Sequence, residues 1–539
     1  MKTIVVLLLA LGYGIAPGSA QTQKVARHYL AHAPEIPPPV RQPAQPEAWN
    51  SPERTPVDGM ILLARERSGA FWLASTQGAA RFDPRTRERW ERWQYFSGRR
   101  WLQDDAVQNI WVDPASPHRA VWIRTETGVS LIEWKPMSLE AKAASFEARI
   151  EQRHVRHGMV AGCSFRTPGD PSTSVRQTSD NDGLWTAIYL GAQAYRYAVT
   201  GDADARAKAR RSVQLLLRLE EITGLPGFPA RSFVSKAEGP PQDGEWHPTP
   251  DGQWLWKGDT SSDEIVGHYF GYAAYYDLVA EPSEKDQIRR VVARLTDYLI
   301  KNDYDLLDVD GQPTRWGRWS EAYFQTEEGK YEAALRSLEL LSFLKTAHHI
   351  TGEAKYEHAY QERLRRGYAG NMRLYRRWPG AGEINFSDDE LAYLSYQPLL
   401  KYEKDQKLRG LYLDGLRFTW GKVRPDRNPL WNYISAASGA GRMSREIREE
   451  SRRTLERIPL EMIEWTAKNS HRRDVTFQKE KERFGRDQLT EVLAPDERAV
   501  EKWNSNPYRP DGGNGGQGED DGSYFLLPYW MGRYHGWVK

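Results

Sequence analysis

"DGLWTAIYLGAQAYRYAVTGD", residues 182–202, runs straight into "ADARAKARRSVQLLLRLEEITG", residues 203–224. In the first stretch apolar side chains recur at helical spacing and the run stops at Thr-Gly-Asp; the second resumes the same period at once. The two helices, joined by so short a turn, form a hairpin. The couplet returns along the chain. "SSDEIVGHYFGYAAYYDLVA" passes through "EPSEK" into "DQIRRVVARLTDYLIKND", and "YEAALRSLELLSFLKTAHHITGE" passes into "AKYEHAYQERLRRGYAG". "DDELAYLSYQPLLKYEKD" leads into "QKLRGLYLDGLRFTWG", and "RNPLWNYISAASG" into a helix over 444–468. A sixth, poorer pair is read from a segment near 487–502 and "EDDGSYFLLPYWMGRYHG" at 519–536.

Turns inside the hairpins are short, while several links between hairpins are long and rich in Gly, Pro and Trp, as at 225–260 and 302–330. Short and long connections that alternate lie at opposite ends of the helices. The first helix of each pair is the more apolar and aromatic, so it is the inner, doubly buried one. The expected fold is mainly α: six hairpins closed into a ring, six helices inside six. On "SDNDGLWTAIY", "GDTSSDEIVGHYF", "INFSDDELAYLSY" and "DDGSYFLLPYW", the chain over about 180–537 resembles the six-hairpin (α/α)6-toroid superfamily. That resemblance implies a carbohydrate-active enzyme, a glycosidase or a polysaccharide lyase, but matches no single family whose active site can be carried over.

Each of those four segments opens an inner helix with two or three acids: Asp180 and Asp182; Asp259, Asp263 and Glu264; Asp388, Asp389 and Glu390; Glu519, Asp520 and Asp521. A ring brings them around one funnel. The competing account is capping, since a side-chain oxygen of Asp or Ser at a helix start accepts a free N–H of the first turn, worth about 1 kcal/mol; Ser387 with Glu390 fits a capping box. A cap needs one acid, and these rims carry more. Crowded carboxylates push one pKa upward, and an acid beside an ionised carboxylate is the pair that glycoside hydrolysis uses. The expected catalytic residues are therefore Asp389 and Asp182 first, then Asp263 with His268, and also Asp388 and Glu321. The expected sugar-contacting aromatics are Trp185, Trp256, Trp316, Trp319, Tyr269, Tyr323, Tyr393 and Trp431.

The bulk composition agrees with that class. The chain has 539 residues, with 75 basic against 73 acidic, a net charge of +2 that gives no reason to expect nucleic acid or an anionic membrane as partner. It carries 21 Trp and 27 Tyr, flat amphipathic surfaces suited to sugar rings. Residues 1–20, "MKTIVVLLLALGYGIAPGSA", read as a secretory signal with Lys2, an apolar stretch and a small-residue cleavage site. Export to a bacterial periplasm or surface is expected, with no membrane-spanning segment. The single cysteine, Cys163, allows no intrachain disulfide.

Residues 21–57 are Pro-rich and read as a linker or arm. Residues 58–135 hold a short β module in which "GAFWLASTQGAARFD" at 69–83 matches "RAVWIRTETGVSLIE" at 119–133, aligning Trp72 with Trp122 and Gly78 with Gly128. "FWLASTQGAARFD" resembles the blade motif of sensor-type propellers. Residues 136–179 connect this module to the helical domain over 180–539.

No metal or cofactor is expected. "DVDGQP" at 308–313 and "DNDG" at 180–183 lack the spaced acidic series of a calcium loop and read as Asp-Gly turns. "HVRH" at 154–157 has no partner acid nearby in sequence, and "GGNGGQG" at 512–518 lacks the Lys-Ser/Thr of a phosphate loop. Three functions remain open: a glycoside hydrolase acting through two carboxylates; a lyase on uronic-acid glycans using His268, Tyr269, Asn469, His471 and Arg472; and a sugar-binding or sensor protein without catalysis. The residues do not indicate an oligomeric state.

Overall fold

The computed structural model describes residues 22–539 apart from 43–44, 117, 240, 378–384, 483 and 501. The expected signal at 1–20 lies outside the described residues.

Twelve long helices make up the C-terminal body among the described residues. In chain order they are α1 (Leu139–Arg149), α2 (Asp182–Thr200), α3 (Ala203–Glu221), α4 (Ser262–Leu278), α5 (Pro282–Lys301) and α6 (Gly329–Thr351). They continue with α7 (Ala354–Arg365), α8 (Phe386–Tyr402), α9 (Gln406–Val423), α10 (Pro429–Ser438), α11 (Arg445–Arg457) and α12 (Ser523–Tyr534). Helices α2, α4, α6, α8, α10 and α12 pack side by side in that order, and α12 returns to α2, so the inner ring closes. Each packs outward on its partner: α2 on α3, α4 on α5, α6 on α7, α8 on α9, α10 on α11 and α12 on α1. The inner helices are buried almost all round, as in α4, where thirteen of the residues from Ser262 to Tyr275 are buried. The outer ones are one-sided: α5 buries Ile288, Val291, Val292, Leu295 and Leu299 at helical spacing.

The sixth pair differs from expectation. The described residues among 487–502 form no helix; Pro495 interrupts their apolar pattern. The sixth outer helix is α1, from the stretch read as a connector. Its N-cap Ser138 accepts the N–H of Ala141, and Leu139, Ala143 and Phe146 form its buried stripe. The chain thus enters the ring on an outer helix and ends on an inner one.

The N-terminal module is two four-stranded antiparallel sheets. One orders β2 (Ile61–Arg65), β3 (Phe71–Ser75), β4 (Gly78–Phe82) and β5 (Trp93–Phe96) as a meander. The other comprises β6 (Val107–Val112), β7 (Ala120–Thr125) and β8 (Gly128–Pro136), with β1 (Thr22–Leu30) on its edge. The stretch read as a linker therefore supplies a strand, its Thr22–Leu30 paired with Gly128–Pro136. The two repeat copies are the β3–β4 and β7–β8 hairpins. Their shared glycine has a packing reason: a Cβ on Gly78 would stand 2.6 Å from the Phe96 carbonyl, and one on Gly128 2.7 Å from that of Tyr29. Trp72, Phe96, Trp101 and Trp134 fill the core between the sheets.

The described residues among 458–517 form little regular structure but reach both bodies. At the module, Asp496 is ion-paired with Lys24 and with Arg457. At the ring, the same segment delivers Lys502 and Trp503.

Candidate active site

The inner-helix N-termini face one end of the ring, and they are where capping and chemistry compete. In α2, α4 and α8 the side chains of the N-cap residues Asn181, Ser261 and Asn385 accept no backbone N–H of the first turn; Ser261 and Asn385 donate instead to the carboxylates of Asp263 and Asp388. The outer helices α3 and α9 are capped by Asp202 and Asp405, and α11 by Ser444. The expected capping box of Ser387 and Glu390 is absent, because Ser387 Oγ bonds Asn385 instead. Before α12, Asp520 and Asp521 do take backbone N–H groups, those of Gly522 and Ser523, whereas Asp389 of α8 is held by the side chains of Tyr375 and Arg376.

The acids at the inner rim bear on one another. Burial, followed by the charges of Asp263, Asp520 and Asp521, pushes the Glu390 carboxyl up to about 8, with Lys502 opposing. Its Oε1 is buried without a hydrogen-bond partner. Glu339 of α6, buried beside Arg336 and within reach of the charge of Asp263, rises to about 7. It accepts from Trp319 Nε1 at 2.7 Å and from Arg336 at 3.1 Å on one oxygen, and its other oxygen has no partner. Asp388 rises to about 7 through burial, with Arg336 pulling down and Glu332, Asp389 and Glu339 pushing up. Before α12, burial and the charge of Asp521 raise Asp520 to about 7, while Lys502, 3.3 Å from Asp521, holds Asp521 low against its burial. The same Lys502 ammonium sits 4.0 Å over the ring of Trp185.

Beside this cluster a cleft opens between the N-termini of α8 and α10. It is lined by Phe386, Asp389, Asp426, Trp431, Arg498, Lys502 and Trp503 among others. Trp431 is stacked on Tyr393 at 4.6 Å, which fixes the indole plane. Asp389 accepts from Arg376 Nε at 2.9 Å and Tyr375 Oη at 2.8 Å, with a second guanidinium contact to Oδ2. Asp426 accepts from Tyr508 Oη at 2.7 Å. Burial raises its pKa to about 7; the Tyr508 bond works against that and the Asp389 charge adds to it. Together Asp389 and Asp426 put an ion-paired carboxylate and an acid of raised pKa on the walls of one aromatic cleft.

The other expected residues separate. Asp263, half-buried, stays at the rim, where Ser261 Oγ donates to it at 3.0 Å. Asp182 is fully buried and held by Ser179 Oγ and Ser232 Oγ, both at 2.6 Å, so it braces the first hairpin rather than facing the opening. Glu321 turns onto outer helix α7, where Arg363 and Arg366 bind it at 2.8 and 3.2 Å. His268 lies in the core; its Nδ1 bonds the Glu264 carbonyl one turn back at 2.7 Å, and burial lowers its pKa to about 4. Tyr269 is core too, stacked on Phe343 and bonded to Thr296 of α5. Trp256 packs between Phe228 and His247, Trp319 is fully buried against Glu339, and Tyr323 lies buried under Arg318. Trp316 remains part-exposed, with Arg315 over its ring. The residues named for a lyase do not assemble at the rim: His471 Nε2 meets Tyr95 Oη of the β module at 3.0 Å, and Asn469 and Arg472 are buried near it.

Sequence reading missed Asp426, Glu339, Arg336, Lys502 and Trp503. Asp426 sits in "RPDRNPLW", directly before α10 and its Trp431, a rim position of the kind that singled out the other acids. Nothing local marked Glu339, mid-helix in α6, or Lys502, in a segment without periodicity.

No protein-family model matches the chain, and no curated protein matches it. Among solved structures it is similar to a sugar epimerase from a ruminal bacterium (10% identity, TM-score 0.37, covering 74% of this chain and 98% of that one). It is also similar to a D-mannose isomerase (11%, TM-score 0.39, 74% and 96%) and to a metagenome-derived glycoside hydrolase family 9 endoglucanase (11%, TM-score 0.40, 96% and 97%). These likenesses are too distant to assign an activity.

Proposed function

We propose that the protein is a glycoside hydrolase acting on oligo- or polysaccharide in the cleft between α8 and α10. The observation that carries this reading is the pairing of Asp426, raised to about 7, with Asp389, ion-paired to Arg376, on the walls of one cleft that also carries Phe386, Trp431 and Trp503. Glycosidic cleavage needs a carboxylic acid that still holds its proton near neutrality and a carboxylate that stays charged. Asp426 protonates the leaving glycosidic oxygen. Asp389, oriented by Tyr375 and Arg376, supports the positive charge that develops at the anomeric carbon, as nucleophile or through a water. Phe386 and Trp503, both part-exposed, offer faces to the apolar sides of sugar rings, over a floor formed by the buried Trp431. The residues grouped for a lyase do not meet in this cleft, His471 bonding Tyr95 of the β module instead, which speaks against the lyase reading. Export, read from residues 1–20, belongs to the same proposal.

The test is release of reducing ends from neutral glycans without an unsaturated product. Asp426→Asn and Asp389→Asn each lower kcat by about 10²–10⁴-fold. In the parent protein the alkaline limb of the rate profile falls as Asp426 loses its proton near 7. Should both variants hydrolyse at the parent rate, the assignment of the pair is wrong; an unsaturated product would make the protein a lyase.

A further inference from the structure

Away from the cleft, side chains with metal-ligand chemistry meet in two places among the described residues. In the first, His154, Cys163 and Glu519, the carboxylate is already held by Arg153 and by Arg149 at 3.7 Å, cations that oppose a metal ion. In the second, Glu245, His247 and Asp308, no ion pair to Lys or Arg is formed among the described residues. One ligand atom of each of the three lies within 4.8 Å of the other two.

Two separate segments build this group. The strand Trp246–Pro248 carries His247, with Glu245 just before it, and the turn that follows Asp305–Leu307 carries Asp308. The His247 ring lies on Trp256, centroids 4.6 Å apart, and its Nε2 is buried with no hydrogen-bond partner. A buried ring nitrogen is normally bonded. Asp308 is oriented by the N–H of Asp259 on Oδ2 at 2.6 Å and by that of Val309 on Oδ1 at 2.7 Å. Such backbone bonds aim a ligating carboxylate while leaving lone pairs free. Gly258 completes the cradle. A Cβ there would stand 2.8 Å from His247 Nε2 and 2.9 Å from Asp308 Oδ2. Its backbone is not left-handed, so space between two donor atoms, and not conformational freedom, calls for glycine.

We propose that Glu245, His247 and Asp308 bind a divalent transition metal. One imidazole nitrogen and two carboxylates form a donor set suited to Zn²⁺, with water completing a tetrahedral shell. The ion staples the long rim loop before α4 to the one after α5, the loops that frame the second hairpin's share of the funnel mouth.

The untagged protein, stripped with chelator, is titrated with Zn²⁺ by calorimetry. The parent binds one ion per chain. His247→Ala and Gly258→Ala each weaken binding at least about tenfold, and His348→Ala, remote from the site, leaves it unchanged. Gly258→Ala retains all three ligands, so the reading does not depend on a ligand variant folding. Absence of stoichiometric binding by the parent overturns the proposal, as does full affinity in either His247→Ala or Gly258→Ala.

Discussion

Asp388, Asp389 and Glu390 show how far single residues are legible. Their crowding at a helix start is plain in the sequence, but successive residues on a helix are about 100° apart, and here they diverge. Asp388 faces Arg336 of α6, Asp389 is clamped by Arg376 and Tyr375, and Glu390 looks toward Asp263 and Asp520. Which of them meets substrate depends on partners far along the chain, which spacing does not reveal. Glu264 carries the same lesson. It opens α4 like a cap, yet it is fully buried with neither oxygen bonded, and burial pushes its pKa well up. Its carboxyl lies where a Cβ on Gly183 of α2 would stand. Gly183→Ala therefore overpacks this contact and costs about 1–3 kcal/mol. Glu264→Ala should relieve the clash, so in a double-mutant cycle by urea unfolding the pair is less destabilised than the two singles added. Strict additivity would show that the two groups do not press on each other.

At the scale of elements, five hairpins were readable because each carries its own period, cap and turn. The sixth was not, because its halves lie at opposite ends of the chain: α12 is residues 523–534 and its outer partner α1 is residues 139–149. Nothing in "SLEAKAASFEAR" says which inner helix it will cover. Lys142 shows how that outer helix is secured. Its buried ammonium donates to the carbonyls of Leu455 at 2.9 Å and Glu456 at 3.0 Å, and also to that of Ile458, the unpaired end of α11. Burial draws its pKa down to about 7. Lys142→Met keeps the apolar stem and removes every donor, leaving three carbonyls unsatisfied at about 1 kcal/mol each. A loss of about 3 kcal/mol in chemical denaturation is expected, with the far-ultraviolet spectrum of the folded protein unchanged. A loss below about 0.5 kcal/mol would mean that water replaces the ammonium there.

For the molecule as a whole, the same crowding that suits the funnel for acid chemistry biases stability with pH. Asp388, Asp426, Asp520 and Glu339 titrate at about 7 and Glu390 at about 8 when folded. Unfolded, they return to the ordinary carboxylate range near pH 4. Between those limits the folded chain holds protons that the unfolded chain has released, so stability falls as pH rises through that window. Thermal melts should therefore show Tm declining from pH 5 to pH 8; a flat or rising Tm would show that these acids are ionised in the folded state. The joint between the two bodies works on the opposite principle, with charge kept and paired in the interior. Asp496 is buried, ion-paired to Lys24 of β1 and to Arg457 at the end of α11, while its carbonyl accepts Trp101 Nε1 at 2.9 Å. No sequence pattern announces this joint, since Lys24 stands more than four hundred residues before Arg457 and Asp496 and lies in the stretch read as linker. Burial and the Arg457 charge draw the Lys24 pKa down, and Asp496 opposes both. Asp496→Ala takes from the buried Lys24 its ion-pair partner while Arg457 keeps Glu497 at 3.3 Å, and breaking one such buried pair costs about 3 kcal/mol. Because the contact joins the edge strand of the β module to the ring, the loss should appear as separate melting. Calorimetry of Asp496→Ala should resolve two transitions where the parent shows one, and limited proteolysis should cut within 458–517 first. A single transition at the parent temperature would mean that Arg100 and Trp101 hold the joint without the ion pair.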